Sequence, residues 1–295
     1  MLRVYKVAEG ASAPHPLAVA EVASVLRRGG LALLPTETVY GIGVSIAAFA
    51  QQAPTGSKTK SATASASGAT TETFATTPNI SQELDPELLV NGTPTPGPHT
   101  GYGRIFTLKQ RSLKQTVPWL VDGPQALDEY GAEVPQSIRI LAQKFWPGAL
   151  TLVVKAAPNV PAFMQAADGT VALRASASPV IQALVKACKS PLAVTSANTH
   201  GAPAPAAFAQ AEPRILDGVD VAVDAGATPC RDASTIVSCA PDGSLNIIRQ
   251  GALPAEDLYA ALREAPAAGP SSPNNTQSPA SRPESSAHKA PGMLP

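Results

Sequence analysis

The sequence is poor in cysteine and carries no net charge. Its three cysteines, Cys188, Cys230 and Cys239, form no CxxC pair and no cluster with histidine in 295 residues. This spacing argues against a disulfide framework or a zinc site, and it predicts no metal ligands. Basic and acidic residues balance at 22 each, so the overall charge gives no argument for a nucleic-acid or membrane surface.

Long apolar runs and common nucleotide-binding motifs are also missing. No segment approaches the length of a membrane span, and the first residues, MLRVYKVAEGASAPH, contain no apolar core of a secretory signal. We therefore expect a cytoplasmic protein without membrane contacts. No Gly-Lys-Ser/Thr follows a glycine-rich loop, and no GxGxxG occurs, which argues against a P-loop and a dinucleotide-binding fingerprint.

Two stretches are dominated by Ser, Thr, Ala, Pro and Gly and show no sustained apolar period. They cover about 50–99 and 266–295. Such segments cannot bury enough surface to offset the entropy lost on ordering. We predict a flexible low-complexity insertion at 50–99, compatible with a short helix around 83–90, and a disordered tail at 266–295. The rest of 1–265 is long enough for one domain with a sizeable core.

Helical and extended patterns alternate in the remaining sequence. PLAVAEVASVLRRGG, SIRILAQKFWPG and SPVIQALVKAC have helical spacing, whereas LALLP, LTLVVK, TVALRA, PLAVTS and GVDVAVD are short apolar strands. Alternating strands and helices, with near-continuous apolar strands, indicate an α/β sheet covered by helices. Because the last strands follow one another without helices between them, we expect the sheet to be mixed.

Small polar side chains follow two of the predicted strands. PLAVTSAN ends in Ser196 and Asn198, and LLPTETVYGIG offers Thr36 and Thr38 before a pair of glycines. In open α/β sheets the carboxyl ends of strands are where ligands bind, and glycines allow a sharp bend or a close approach to a ligand. The alternative is that these polar residues merely cap turns or helices.

Cations follow two other segments. LKQR places Lys109 and Arg111 two residues apart. Such a pair can bind a polyphosphate. Alternatively, it belongs to a solvent-exposed helix end, where the helix dipole favours cations. Arg174 ends the apolar strand VALR. An arginine so close to a core is rarely found without an anionic partner.

Seven motifs in order resemble those of the YrdC-type threonylcarbamoyl-AMP synthases. They are LLPTETVYGIG, RIFTLKQR, FWPGALTLVVK, TVALRASASPVIQAL, PLAVTSAN, STIV and IIRQGAL. The resemblance implies a single YrdC-like α/β domain with one twisted open sheet and a concave basic cleft. It implies an activity, the formation of threonylcarbamoyl-AMP and pyrophosphate from L-threonine, bicarbonate and ATP. It also implies Mg²⁺ as a cofactor and, as partners, tRNA and a transferase that uses the adenylate.

The same resemblance assigns the site residues. Lys109 and Arg111 correspond to a catalytic pair that neutralises the phosphates. The residues on the ATP side are Lys109, Arg111, Gln115, Thr170, Ser196, Asn198 and Arg249. Those on the threonine side are Thr36, Thr38, Arg174, Val194 and Ser234.

The sequence departs from the family pattern at a few positions. Ser112 stands where the family commonly has proline, and Leu120 where some members have a histidine that contacts threonine. Two other functions stay open. A carbamoyl-adenylating activity is known from longer chains with zinc-finger-like cysteines, and a non-catalytic RNA- or tRNA-binding module could use the same basic cleft.

Overall fold

The computed structural model describes residues 2–8, 14–50 and 84–265. The first part of the predicted insertion, 51–83, and the whole predicted tail, 266–295, lie outside the described residues. Ten strands form one sheet in the order β1-β10-β2-β3-β9-β6-β8-β7-β11-β12, and β4 pairs with β5 in a separate hairpin. The described residues up to Glu264 form one compact unit.

The strands and helices have the following bounds. The strands are β1 (Arg3–Lys6), β2 (Ala32–Pro35), β3 (Tyr40–Ser45), β4 (Leu84–Val90), β5 (Thr93–Pro96), β6 (Trp119–Val121), β7 (Leu150–Lys155), β8 (Thr170–Ala175), β9 (Leu192–Ser196), β10 (Val221–Asp224), β11 (Thr235–Cys239) and β12 (Leu245–Arg249). The helices are α1 (Pro16–Arg27), α2 (Ala47–Ala50), α3 (Gly101–Lys109), α4 (Ala126–Tyr130), α5 (Gln136–Phe145), α6 (Pro179–Cys188), α7 (Pro213–Gly218) and α8 (Ala255–Glu264).

The sheet mixes parallel and antiparallel pairs, as the sequence predicted. Strands β1, β10 and β2 are parallel to one another, and so are the pairs β6–β8 and β7–β11. The remaining neighbours are antiparallel. The α/β class with an open mixed sheet is therefore confirmed.

Local sequence signals account for the ends of the main helices. Thr100 caps α3, since its hydroxyl accepts a hydrogen bond from Gly103 N at 3.0 Å. Gln110 follows α3 and Lys189 follows α6, and both residues take the left-handed conformation that terminates a helix. Proline occupies the first turn of α6, where no backbone donor is needed. Among the described helices, none is both long and apolar enough to cross a bilayer.

The two faces of the sheet pack against different helices. Because side chains alternate along a strand, Trp119 and Leu173 point into the larger core cluster, together with residues of α3, α5 and α8. Their neighbours Leu120 and Arg174 point the other way. Leu120 packs in the smaller cluster formed by α1 and α6, so the second face is the one on which Arg174 stands.

A hairpin occupies the second half of the predicted insertion. Strands β4 and β5 pair antiparallel around Asn91 and Gly92, which have φ angles of 50° and 72°. The Asn91 amide donates to the carbonyls of Ala162 and Gln165, both at 2.9 Å. Residues 84–96 thus form strands, where the sequence analysis expected a flexible segment compatible with a helix. The overlooked signal is Asn-Gly, the dipeptide favoured in two-residue hairpin turns.

The glycines of LLPTETVYGIG lie inside β3 rather than at a bend. Gly41 pairs with Ser196 and Gly43 with Val194 on β9. A Cβ on Gly43 would lie 2.5 Å from Val194 Cγ2 and 2.7 Å from the Ala193 carbonyl oxygen. The glycines therefore make room for the Val194 side chain to lie across β3.

Substituting Gly43 by alanine is expected to lower the free energy of unfolding by about 1–3 kcal/mol, as overpacking of a core does. Urea denaturation of the wild type, Gly43→Ala, Val194→Ala and the double variant measures this cost and its coupling to Val194. We expect the substitution to cost less in the Val194→Ala background. An equal cost in both backgrounds would show that Val194 is not the residue that requires glycine.

Candidate functional site

A cavity of about 320 Å³ opens on the face of the sheet that carries Arg174. Leu120 and Val194, which belong to the cluster under α1 and α6, form part of its wall. Eight of the residues predicted from the sequence line it: Thr36, Thr38, Arg174, Val194, Ser196, Asn198, Ser234 and Arg249. The site was expected at the carboxyl ends of strands, but much of the lining comes from side chains that stand on the sheet face.

The turn between β2 and β3 presents two threonine hydroxyls to the cavity. The Thr36 Oγ1 atom accepts from the backbone N–H groups of Thr38 and Val39, each at 3.1 Å, and donates to the Val39 carbonyl at 2.6 Å. It also lies 2.8 Å from Thr38 Oγ1. This local hydrogen bonding replaces backbone pairing in the turn and fixes both hydroxyls where the cavity begins.

Arg174 meets its anionic partner in Glu37, which the sequence analysis missed. Arg174 Nη2 lies 2.5 Å from Glu37 Oε1 and 3.0 Å from Thr38 Oγ1. Ser176 donates to the second carboxylate oxygen of Glu37. Burial favours protonation of Glu37, but the Arg174 charge and these hydrogen bonds outweigh it and hold the pKa of Glu37 below its usual value.

The pairing leaves part of the guanidinium available. Arg174 Nε donates to the Gly148 carbonyl at 3.0 Å, whereas Arg174 Nη1 has no hydrogen-bond partner among the described residues. The sequence did contain a signal for Glu37, since it lies between the predicted Thr36 and Thr38 in PTET.

Ser234 and Arg249 also line the cavity. The Arg249 guanidinium donates to the Ser234 carbonyl through Nη2 at 2.7 Å, and the Ser234 hydroxyl lies 2.9 Å from that of Thr151. Burial and the charge of Arg174 both lower the pKa of Arg249. The cavity thus brings two guanidinium groups near each other. Glu37 forms an ion pair with Arg174. Arg249 forms no such ion pair among the described residues, and only the more distant charge of Asp232 raises its pKa. Such an arrangement favours an anionic ligand.

Lys109 does not line the cavity but forms hydrogen bonds to Ser196 and Asn198, which do. Its Nζ atom donates to the Ser196 carbonyl at 2.5 Å, the Asn198 carbonyl at 2.9 Å and Asn198 Oδ1 at 3.0 Å. Burial and the neighbouring Arg111 lower the pKa of Lys109 to about 8, and the charge of Glu212 acts in the opposite direction. In this structure the ammonium group therefore organises Ser196 and Asn198 rather than lining the cavity itself.

Arg111 is held in the same layer. Its guanidinium donates to the carbonyls of Gln115 and Thr116 at 2.8 and 2.6 Å and to Thr195 Oγ1 at 3.2 Å. It also lies over the Phe106 ring, 5.5 Å from the centroid. Because Thr195 lines the cavity, the Arg111 charge is one side chain away from it.

Two predicted residues lie elsewhere. Thr170 stands at the other end of β8, four residues or about 13 Å from Arg174 along the strand, where its hydroxyl donates to Asp168 at 2.7 Å. The side chain of Gln115 is exposed, and its contribution is the backbone carbonyl that accepts from Arg111. The structure does not bring either side chain to the cavity.

A larger cavity of about 600 Å³ shares Thr36 and Glu37 with this site. Its remaining wall comes mainly from apolar residues near the ends of β1 and β10 and the start of α6, and it contains none of the predicted cations. Charge and hydroxyl groups converge in the smaller cavity, which we therefore take as the candidate site.

Comparison with known proteins gives the same assignment of family. The family profile of Sua5, YciO and YrdC, described as Telomere recombination, matches residues 98–251. A putative threonylcarbamoyl-AMP synthase of Mycobacterium tuberculosis is 34% identical over 158 residues, which cover 54% of this chain and 72% of the relative. The Mycobacterium leprae protein of the same name is 30% identical over 250 residues, which cover 84% of this chain and 90% of the relative.

Longer relatives are matched only in part. The Pyrococcus abyssi threonylcarbamoyl-AMP synthase is 28% identical over 161 residues, or 55% of this chain, and the chain spans about half of its length, 47%. Among solved structures, P. abyssi Sua5 complexed with L-threonine superimposes with a TM-score of 0.65 at 21% identity, over 89% of this chain and 61% of that one.

Escherichia coli YciO superimposes with a TM-score of 0.61 at 16% identity, over 85% of this chain and 96% of that one. At these identities the structural likenesses establish the fold. The profile match spans half of the sequence, and the mycobacterial relatives are matched over most of their length. On this evidence the chain belongs to the Sua5/YciO/YrdC family.

Proposed function

We propose that this chain is an L-threonylcarbamoyladenylate synthase, a nucleotidyltransferase that converts L-threonine, bicarbonate and ATP into threonylcarbamoyl-AMP and pyrophosphate. The observation that carries the proposal is the cavity that brings Arg174 and Arg249 together with six serine and threonine side chains, Thr36, Thr38, Thr151, Thr195, Ser196 and Ser234. The names of the relatives, and the L-threonine bound to the P. abyssi protein, support threonine as the amino-acid substrate.

The reaction needs no nucleophile from the protein. Bicarbonate takes up a proton and loses water to give carbon dioxide. The threonine amine forms a bond to the carbon of carbon dioxide and releases a proton, which gives a carbamate. A carbamate oxygen then attacks the α-phosphorus of ATP. The bond from that phosphorus to the bridging oxygen breaks, and pyrophosphate leaves with the electron pair. The protein accelerates such a step by orienting the two substrates and by stabilising the charge that develops on the phosphates.

The geometry supports a division of the cavity into two sides. The threonine carboxylate would bind the free Nη1 of Arg174, with the hydroxyls of Thr36, Thr38 and Ser234 and the backbone near Val194 around the amino acid. The phosphates would lie toward Ser196, Asn198 and Arg249, with Lys109 and Arg111 adding positive charge from the layer behind. Thr170 and the Gln115 side chain have no part in this arrangement.

A magnesium ion would reach this site bound to ATP. The described residues contain no group of three acidic, histidine or cysteine side chains that could hold a metal ion, so they do not fit a resident metal and we derive no step through one. Mg²⁺ is commonly bound through substrate phosphates. We further propose that the adenylate is used in the cytoplasm by a transferase that modifies tRNA.

Pyrophosphate release is the direct test of this activity. We expect the purified protein to release pyrophosphate and form the adenylate only when ATP, threonine and bicarbonate are all present. Omission of each substrate in turn is the control. ATP hydrolysis to ADP without threonine would contradict the proposal. Tight, salt-dependent tRNA binding without detectable binding of ATP or threonine would instead favour a non-catalytic RNA-binding module.

A further inference from the structure

The segment after β9, residues 197–202, is held on two sides. On the inner side, Ala197 N donates to the Tyr40 carbonyl at 2.9 Å, and Lys109 binds both oxygens of Asn198. His200 N in turn donates to the Lys109 carbonyl at 2.8 Å. This segment carries Asn198 and follows directly on Ser196, so its conformation sets the proposed nucleotide side of the cavity.

Glu212, just before α7, holds the outer side of the segment. One carboxylate oxygen accepts from Thr199 N at 2.8 Å, and the other accepts from Thr199 Oγ1, also at 2.8 Å. Arg214 Nη2 donates to the same hydroxyl at 2.6 Å and lies 3.4 Å from Glu212 Oε2. These bonds lower the pKa of Glu212, with the backbone bond from Thr199 contributing most.

Because Glu212 and Arg214 are partly exposed, we expect the pair to contribute little to the stability of the fold. The side chains of Arg214 and Glu212 are 37% and 35% exposed, and ion pairs open to solvent contribute little to the stability of a fold. The bidentate grip on Thr199, however, restricts the backbone next to Asn198. Loss of the carboxylate should therefore affect the position of Asn198 more than the stability of the whole domain.

We propose that Glu212 is a positioning residue for the nucleotide side of the cavity. Its carboxylate holds Thr199 and thereby fixes the segment that presents Ser196 and Asn198. The proposal rests on the function proposed above, because it assigns these two residues to ATP. Two charged groups act on the Lys109 ammonium group: Arg111, two residues along the chain, and Glu212, just before α7. Arg214 is the cation next to Glu212. His200 contacts Lys109 through its backbone N–H.

Kinetics of Glu212→Ala test the proposal. At a pH well below the pKa of Lys109, where the ammonium group stays charged in both proteins, we expect KM for ATP to rise at least fivefold, with kcat within about twofold of the wild type and a melting temperature within a few degrees of it. KM for threonine should stay unchanged, because the threonine side of the cavity has no contact with Glu212. Glu256→Ala is the matched control, since Glu256 is an exposed glutamate on α8, and it should behave as the wild type.

The pH dependence supplies a second readout that a merely structural role would not move. Lys109 is charged below a pKa of about 8, so activity should fall as the pH rises through that value. Removal of the Glu212 charge disfavours the ammonium form, and Glu212→Gln should shift this alkaline limb to lower pH by about 0.5–1 unit. Thr199→Val keeps the carboxylate charge and should raise KM without moving the limb.

The possible results separate this proposal from the proposed function. Unchanged KM for ATP and an unchanged alkaline limb in both Glu212 variants would overturn the positioning role, and so would parallel losses in both KM values and kcat with a large drop in melting temperature. A wild type that releases no pyrophosphate would overturn the function instead. In that case, calorimetry of ATP binding without threonine tests the positioning role of Glu212. Weaker ATP binding by Glu212→Ala than by the wild type supports the role. Equal binding by both proteins, or no binding by the wild type, overturns it.

Discussion

Replacing Arg174 by methionine is expected to lower the free energy of unfolding by about 3–5 kcal/mol and to abolish threonine-dependent pyrophosphate release. Arg174 and Glu37 are buried, with 6% and 8% of their surfaces exposed. Removal of one partner leaves the other charge buried without compensation, which is among the costliest single changes in a protein. Urea denaturation and the pyrophosphate assay measure the two effects separately.

Arg139→Met provides a matched control. Arg139 pairs with Asp128 at 2.6 Å, but their side chains are 36% and 65% exposed, so this substitution should cost at most about 1 kcal/mol. The double variant Glu37→Gln/Arg174→Met removes both charges and should recover much of the stability while remaining inactive. An Arg174→Met protein no less stable than Arg139→Met would contradict the role assigned to the buried pair.

The same pair gives a pH dependence of stability. Because the pKa of Glu37 is lower in the folded protein than its ordinary value of 4.5, its stabilising contribution is present above about pH 4.5 and is lost as the pH falls through the folded-state pKa. The double variant should lack this acid-dependent component.

Substitution of Arg111 by alanine is expected to raise the activation free energy by about 2–4 kcal/mol, which is roughly a 30- to 1000-fold loss of rate. The guanidinium supplies positive charge behind Thr195 and also holds the carbonyls of Gln115 and Thr116. Loss of those hydrogen bonds should separately lower the free energy of unfolding by ~1–3 kcal/mol. Arg111→Lys should recover only part of the rate, because an ammonium cannot bind several acceptors in one plane.

Kinetics below the melting transition, together with thermal melts, distinguish these two contributions. Lys114→Ala is the control, since Lys114 is an exposed cation of the same loop, and it should change the rate less than twofold. A folded Arg111→Ala protein with near-normal turnover would remove Arg111 from the proposed mechanism.

The elements predicted from the sequence are those with strong local patterns. Helix α6 begins with proline and has apolar residues at helical spacing, and β8 is a short apolar run, so both are visible in the sequence. The location of the cavity is not, because it depends on pairing between distant strands. Leu120 and Arg174 are neighbours only because β6 and β8 pair in parallel, and no local pattern encodes that register.

The residues of the candidate cavity were predictable from the sequence in part. The motifs identified Thr38, Ser196 and Arg249, and the structure gathers them around one cavity. They did not distinguish a wall residue from one behind it, and Lys109 and Arg111 belong to the second kind. That distinction depends on which acceptors a long side chain reaches in the folded protein, such as the two oxygens of Asn198 for Lys109.

The strand order has a consequence for how the chain folds. The neighbour shared by β1 and β2 is β10, so Arg3 and Ala32 both pair with Val221, and β3 finds β9 only after most of the chain has been made. Contacts so distant in sequence make folding slow. During synthesis, β1, β2 and β3 must therefore wait until β9 and β10 have been made.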